Sequence, residues 1–147
     1  MSDSEYMTMA LAEAKQAYAA GEVPIGCIIV AGGRVVGRGH NLTQTLSDVT
    51  AHAEIQAITA ASQTLGGKYL NDCTLYVTIE PCVMCAGAIG WAQMGRLVYG
   101  AKDPKRGYSV FAPKTLHPKT QVTSGILESE CQTLMETFFQ KLRLKLD

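Results

Sequence analysis

The sequence of 147 residues lacks any apolar run that approaches the roughly 20 residues needed to span a bilayer. It also lacks a basic start followed by an apolar segment, so we expect no secretory signal and a cytoplasmic protein. Net charge is absent too, since 13 basic residues balance 13 acidic ones. Repeats, low-complexity runs and linkers are missing, and the length is that of one ordinary domain. We therefore expect a single domain across residues 1–147 and no membrane partner.

The cysteines do not suggest a disulfide framework, because their number is odd and the expected compartment is reducing. Cys27, Cys73 and Cys131 each lie within an apolar pattern, which is typical of small buried side chains. Cys82 and Cys85 differ, because they follow Pro81 with a spacing that is common in metal sites. These two thiols are therefore the candidates for chemistry.

Hydrophobic periodicity and turn residues predict an α/β chain. The predicted helices cover 4–19, 52–62 (opened by Thr50), 81–92 (opened by Pro81) and 127–143, and the predicted strands cover 26–30, 34–37, 73–79, 96–99 and 121–123. This order implies a central mixed five-stranded sheet between two layers of helices, with the later strands parallel. Ligand sites in such sheets lie beyond the carboxyl ends of strands, near the starts of helices.

Three residues at predicted helix starts form a candidate metal site. Cys82 and Cys85 fall three positions apart on one face of a first helical turn, where the helix dipole favours ionised thiols. His52 offers a nitrogen ligand at the start of another helix. Three protein ligands are typical of a catalytic zinc ion, because the fourth position stays open.

Two other interpretations of these residues remain open. Cys82 and Cys85 could form a redox dithiol, although the available histidine favours a metal. A fourth ligand would make the site structural, and His40 and His117 lie in predicted loops that do not exclude them. Cys73 is a poor fourth ligand, because it starts a strand whose far end lies roughly 20 Å away.

Glu54 lies two positions after His52 and favours a catalytic interpretation of the site. At that spacing the carboxylate does not share the face of the ligand, so it can lie beside an activated water molecule. It could then accept a proton and pass it to a leaving nitrogen. The order His-x-Glu and then Pro-Cys-x-x-Cys is the signature of the zinc deaminases.

The chain also resembles the bacterial tRNA-specific adenosine deaminases over nearly its whole length. The matching segments are 24–26, 39–41, 50–54, 74–89, 98–103 and 124–127, followed by the last predicted helix. The resemblance implies a cytidine-deaminase-like three-layer fold, a homodimer and one zinc ion per subunit. It also implies that adenosine becomes inosine at the first anticodon position of a tRNA.

The resemblance assigns roles to individual residues. It implies that His52, Cys82 and Cys85 hold the zinc ion and that Glu54 shuttles protons. It also implies the substrate contacts, with Asn41 and the backbone of Ala53 at the adenine and Asp103 close to the RNA. The segment 108–114 departs from the family's usual Gly, Ser and Leu content, so the resemblance does not define its RNA contacts.

A basic and aromatic segment follows Gly100. Lys102, Lys105, Arg106, Lys114 and Lys119 face a single acidic residue, Asp103, and Tyr108, Phe111 and His117 are interspersed among them. Cations and rings of this kind suit the phosphates and splayed bases of an RNA loop, with the anticodon stem-loop as the expected partner. Two alternatives remain: a deaminase of a free base or nucleoside, and a non-catalytic zinc-containing RNA-binding module.

Overall fold

The computed structural model describes residues 1–146, with side chains through Lys145. The helices are α1 (Asp3–Ala19), α2 (Ala53–Leu65), α3 (Val83–Trp91), α4 (Tyr108–Phe111) and α5 (Glu128–Leu146). The strands are β1 (Gly26–Ala31), β2 (Arg34–His40), β3 (Cys73–Ile79), β4 (Arg96–Ala101) and β5 (Gln121–Ser124). Among the described residues, no helix has the length and apolarity to cross a membrane.

The five strands form one mixed sheet in the order β2-β1-β3-β4-β5. Strand β1 is antiparallel to both β2 and β3, whereas the pairs β3-β4 and β4-β5 are parallel. The prediction of a mixed five-stranded sheet with parallel later strands is thus confirmed. Parallel pairing brings the carboxyl ends of β3 and β4 to the same edge, where the sequence predicts the site.

Alternate residues of the central strands pack against different helical layers, as the twofold period of a strand requires. Cys27 and Ile29 belong to the core beneath α2 and α3, together with buried Ala57 and Ile89. Ile28 and Val30 belong to a second core, which α1 and α5 cover on the opposite face. The fold is therefore the three-layer α/β/α arrangement that was expected.

Strand β2 continues to His40, three residues beyond the predicted end at Gly37. Two glycines of this strand allow close packing against α2. A Cβ atom on Gly37 would collide with the backbone oxygen of Ala57, and one on Gly39 would collide with that of Ala53. Helix α2 thus lies directly against the backbone of β2, which fixes the height of its first turn above the sheet.

The starts of α2 and α3 differ slightly from the prediction. Thr50 does not cap α2, because its amide and hydroxyl groups both donate to Asp48 Oδ1. His52 is the N-cap residue of α2 and Cys82 is that of α3, and neither side chain makes a capping hydrogen bond. Both side chains are therefore available for another partner.

Candidate functional site

The side chains of His52, Cys82 and Cys85 converge at the starts of α2 and α3, with donor atoms that all lie within 4.8 Å of one another. His52 Nδ1 lies 3.7 Å from Cys82 Sγ and 3.5 Å from Cys85 Sγ. In a tetrahedral zinc site with ordinary bond lengths, sulfur and nitrogen ligands lie about 3.6 Å apart. The three donors could therefore hold a metal ion, and their chemistry and spacing fit zinc.

The electrostatics of this cluster favour a bound cation. The Cys85 thiol and then the His52 imidazole stabilise the ionised form of Cys82, which lowers the pKa of that thiol to about 4. Cys82 raises the pKa of His52 in return. It also raises the pKa of Cys85, as does burial, because a second thiolate would lie beside the first. A metal ion would relieve this repulsion and let both thiols ionise.

The candidates for a fourth ligand lie elsewhere in the described part of the chain. His40 Nδ1 is 3.2 Å from Glu13 Oε1, and His117 Nδ1 accepts a hydrogen bond from the amide of Lys119. Cys73 is buried in the core below α2 and α3. The cluster found in residues 1–146 thus has three protein donors, as an open catalytic site requires.

Glu54 belongs to the first turn of α2, and only 3% of its surface is exposed. Burial raises the pKa of its carboxyl group to about 7. A group with such a pKa can both accept and release a proton at neutral pH. Glu54 lines a cavity of about 180 Å³. The other lining residues are Val23, Ile25, Asn41, Thr43, His52 and Ala53.

Asn41 and Ala53 both lie in the wall of this cavity, where the sequence placed the substrate. Asn41 is buried, and its Oδ1 accepts a hydrogen bond from the amide of Thr43. The carboxamide retains two N–H donors beyond this bond. Ala53 is buried and has no polar side-chain group, so any polar contact with a substrate must come from its backbone.

Asp103 does not line the cavity that holds Glu54; it lines a separate groove between β4 and α5. Its Oδ1 accepts hydrogen bonds from the amides of Lys105 and Arg106, which closes a turn after β4. The side chain therefore has a local structural role beside any contact with a ligand.

The groove beside Asp103 has a volume of about 740 Å³ and a rim with several cations. Lys102, Lys105, Arg106 and Arg143 contribute positive charge, and Glu128 and Glu136 add negative charge at α5. Among the aromatic residues of the segment, Phe111 is 66% exposed. Tyr108 is 5% exposed, so the expectation that its ring is available to a base is wrong. The ring packs in the core beside α3 because α4 turns it inward.

Glu22 and Glu80 are buried, and their carboxylates accept hydrogen bonds from the loops around the site. Neither residue was predicted from the sequence to be functional. Glu80 accepts hydrogen bonds from the amides of Asp103 and Ser109 and from the Ser109 hydroxyl. Glu22 does the same for Gln44 and Thr45. Their partners lie more than 20 positions away, which no local pattern reveals. One feature of the sequence could have identified these two residues. Glu80 directly follows the apolar strand β3, and Glu22 directly precedes Val23 in the cavity wall.

Comparison with known proteins places the chain among deaminases. The sequence model of the MafB19-like deaminase family matches residues 1–143. A tRNA-specific adenosine deaminase from Agrobacterium fabrum is 46% identical over 146 residues, which cover 96% of each chain.

Solved structures agree with this relationship. One comes from a study of A-to-I editing by tRNA:A34 deaminases at the wobble position of transfer RNA. It is 47% identical, with a TM-score of 0.83, and the match covers 88% of this chain and 98% of that one. A guanine deaminase from Bacillus subtilis is 39% identical, with a TM-score of 0.67, over 69% of this chain and 66% of the other.

Proposed function

Because this chain belongs to the family of the tRNA-specific adenosine deaminases, we infer that it hydrolyses adenosine to inosine at the first anticodon position of a tRNA. The observation that carries the hydrolytic chemistry is the buried Glu54 in a cavity wall beside three convergent metal donors. The choice of adenosine in a tRNA rests on the similarity to the tRNA-specific adenosine deaminases. A module that only bound RNA would have no use for a carboxyl group poised to exchange protons. The domain extends over residues 1–147, and its expected location is the cytoplasm.

The proposed roles follow from the positions of the side chains. His52 Nδ1 and the sulfur atoms of Cys82 and Cys85 would hold one zinc ion per subunit. When bound, such an ion acts as a Lewis acid that makes a water molecule nucleophilic at neutral pH. Glu54 would accept a proton from a water molecule that attacks C6 of adenine. Of the two protons of this water, one ends on N1 of the base and the other, delivered through Glu54, reaches the exocyclic nitrogen. The C6–N bond then breaks, so that ammonia leaves and inosine remains.

Recognition of the base is assigned to Asn41 and the backbone of Ala53. The Asn41 carboxamide can donate to a ring nitrogen of the purine, and backbone groups of Ala53 can bond the base edge. The cavity is small, so the adenine must leave its stack to reach Glu54. An unpaired nucleotide in an anticodon loop meets this requirement at low cost.

The RNA around this nucleotide is expected to contact the cations on the rim of the groove that Asp103 lines. Lys102, Lys105 and Arg106 offer charge to phosphates, and exposed Phe111 offers a ring on which a base can stack. These contacts provide affinity for a polyanion in a protein without net charge.

Incubation of the purified protein with total tRNA is expected to produce inosine. Nucleoside analysis by mass spectrometry measures the product, and a synthetic anticodon stem-loop should suffice as substrate. Free guanine, cytosine and cytidine serve as competing substrates. Deamination of a free base without inosine in the stem-loop would contradict the assignment.

We also propose a homodimer that covers the outer face of α3. Val83, Met84 and Trp91 fall on one side of this helix and are exposed, with Trp91 at 85%. Ile89, on the opposite side of the same helix, is fully buried in the core. A contiguous apolar helix face with a protruding tryptophan is typical of a protein interface.

Trp91→Gln is expected to convert the dimer to monomers, because the largest apolar side chain of the patch is replaced by a polar one. Size-exclusion chromatography with light scattering measures the mass. Leu65→Gln, at another exposed apolar position on α2, should leave the mass unchanged. A Trp91→Gln protein with the mass of the wild type would refute this interface.

A further inference from the structure

Glu22 is a buried acidic residue between α1 and β1 whose side chain is fully removed from solvent. Among the residues that the structure describes, it has no salt bridge with a cation. Burying an unpaired carboxylate is costly, and an apolar residue of similar size would often serve stability as well. We therefore expect the Glu22 carboxylate to have a specific role.

The two carboxylate oxygens of Glu22 are occupied by one short stretch of chain. Oε1 accepts from the Gln44 amide at 3.1 Å, and Oε2 accepts from the Thr45 amide and hydroxyl at 2.7 Å each. Burial alone would raise the pKa of Glu22, but these bonds from Thr45 and Gln44, with nearby His40, hold it below its ordinary value. The carboxylate is thus ionised at neutral pH, and it acts as a clamp on residues 44–45.

The clamp joins two walls of the cavity that contains Glu54. Val23 and Ile25 form one wall, directly after Glu22, and Asn41 and Thr43 form another, directly before the clamped residues. Strand pairing between these segments ends at Gly26 and His40.

Beyond that pairing, one backbone bond from the Asn41 amide to the Ile25 oxygen continues the contact. In the described residues, the next hydrogen bonds that tie the loop to this wall are those of Glu22.

The clamped loop is otherwise held together mainly by its own bonds. The Leu42 amide donates to the Ala51 oxygen, and the Asp48 amide donates to the Thr43 oxygen. Gln44 and Thr45 are exposed, so little packing would restrain them without the carboxylate beneath. Without its hydrogen bonds to Glu22, such a loop can move as a unit relative to the rest of the domain.

We propose that Glu22 is a positioning residue that holds the 41–45 segment against the 23–25 segment, so that Asn41 and Thr43 lie where the target base must enter. The proposal rests on the deaminase function and on the assignment of Asn41 to the base. Glu22 does not touch the reacting atoms. It acts by keeping the binding-competent form of the loop populated before the RNA arrives.

The variant Glu22→Gln tests this role. A glutamine keeps the size of the side chain but replaces one acceptor by an NH₂ group, which opposes one of the clamped amides. We expect KM for the anticodon stem-loop to rise roughly tenfold, because the competent loop becomes a minor population, while kcat at saturating RNA stays within about twofold. Zinc content should match that of the wild type.

Hydrogen exchange of the backbone amides provides a readout that needs no substrate. The Gln44 and Thr45 amides should lose protection in Glu22→Gln, while amides in β1 and β3 keep theirs. Asp48→Asn is the matched control, because in the described residues the Asp48 side chain bonds only Thr50, which belongs to the same loop. That variant should leave the KM and the protection of residues 44 and 45 near wild-type values.

A second variant keeps the proposal testable if Glu22→Gln folds poorly. Thr45→Val removes the hydroxyl donor to Oε2 but keeps the shape of the side chain and the backbone amide. It should raise KM less than Glu22→Gln does, and the double variant should show less than the product of the two effects.

Unchanged exchange at residues 44 and 45, or a loss confined to kcat, would overturn the role of Glu22. A wild-type protein that leaves the stem-loop unmodified would instead refute the deaminase function, and the exchange result would still stand.

Discussion

Glu54→Gln is expected to lower kcat for inosine formation by roughly 10²- to 10⁴-fold, the usual contribution of a positioned general acid-base group. Glutamine fills the same space in the cavity wall but cannot accept the proton that the attacking water must lose. Zinc content should remain at one ion per chain, since Glu54 is not among the three converging donors.

Single-turnover kinetics on the anticodon stem-loop measure the chemical step, and atomic absorption measures the metal. Glu54→Ala should show a similar loss, although it also leaves a void in the buried wall. Glu130→Gln, an exposed carboxylate on α5, is the matched control and should keep wild-type kcat. A Glu54→Gln protein with kcat within a few-fold of the wild-type value would contradict the proposed role of Glu54 as the proton shuttle.

Cys85→Ser is expected to remove both the metal and the activity. Serine is a poor ligand for zinc at neutral pH, because its hydroxyl stays protonated where a thiol ionises, and two remaining donors bind weakly. The zinc content should fall to a small fraction of one ion per chain, and inosine formation should fall below detection. Dialysis of the wild type against a chelator should have the same effect, and added zinc should reverse it only in the wild type.

Cys73→Ser is the control for this experiment. It also changes a buried thiol, but one that packs in the core away from the donors. It should cost stability while the folded protein keeps its zinc and its kcat. Retention of full zinc by Cys85→Ser, or loss of zinc from folded Cys73→Ser, would show that the metal is held by a different set of ligands.

The sequence predicted most of the fold because its strands and long helices have strong periodicity. Strand β3 was predicted with its observed bounds, Cys73–Ile79. The proximity of His52 to Cys82 and Cys85 could also be foreseen, because helix starts gather at the carboxyl edge of a parallel sheet. The resemblance to tRNA adenosine deaminases is confirmed by the relatives.

The errors arose where one residue type has several uses. Strand β2 was predicted to end at Gly37, but it continues to His40, and the missing side chain of Gly39 allows α2 to contact it there. Thr50 suggested an N-cap, but its hydroxyl bonds Asp48 and leaves that position to His52. Tyr108 suggested a stacking surface, but a single helical turn buries its ring. Each outcome depends on a contact with a distant or competing partner, which spacing along the chain does not encode.

The metal donors come from segments that are far apart in the chain, with His52 and Cys85 separated by 33 positions. They meet only when α2 and α3 have packed on the sheet, so an ion bound there favours the native state over the unfolded one. Above its dissociation constant, each tenfold rise in free zinc adds about 1.4 kcal/mol to the free energy of unfolding. Unfolded chains are removed by cellular proteases. Zinc supply would therefore control how long each copy of the enzyme survives as well as how fast it works.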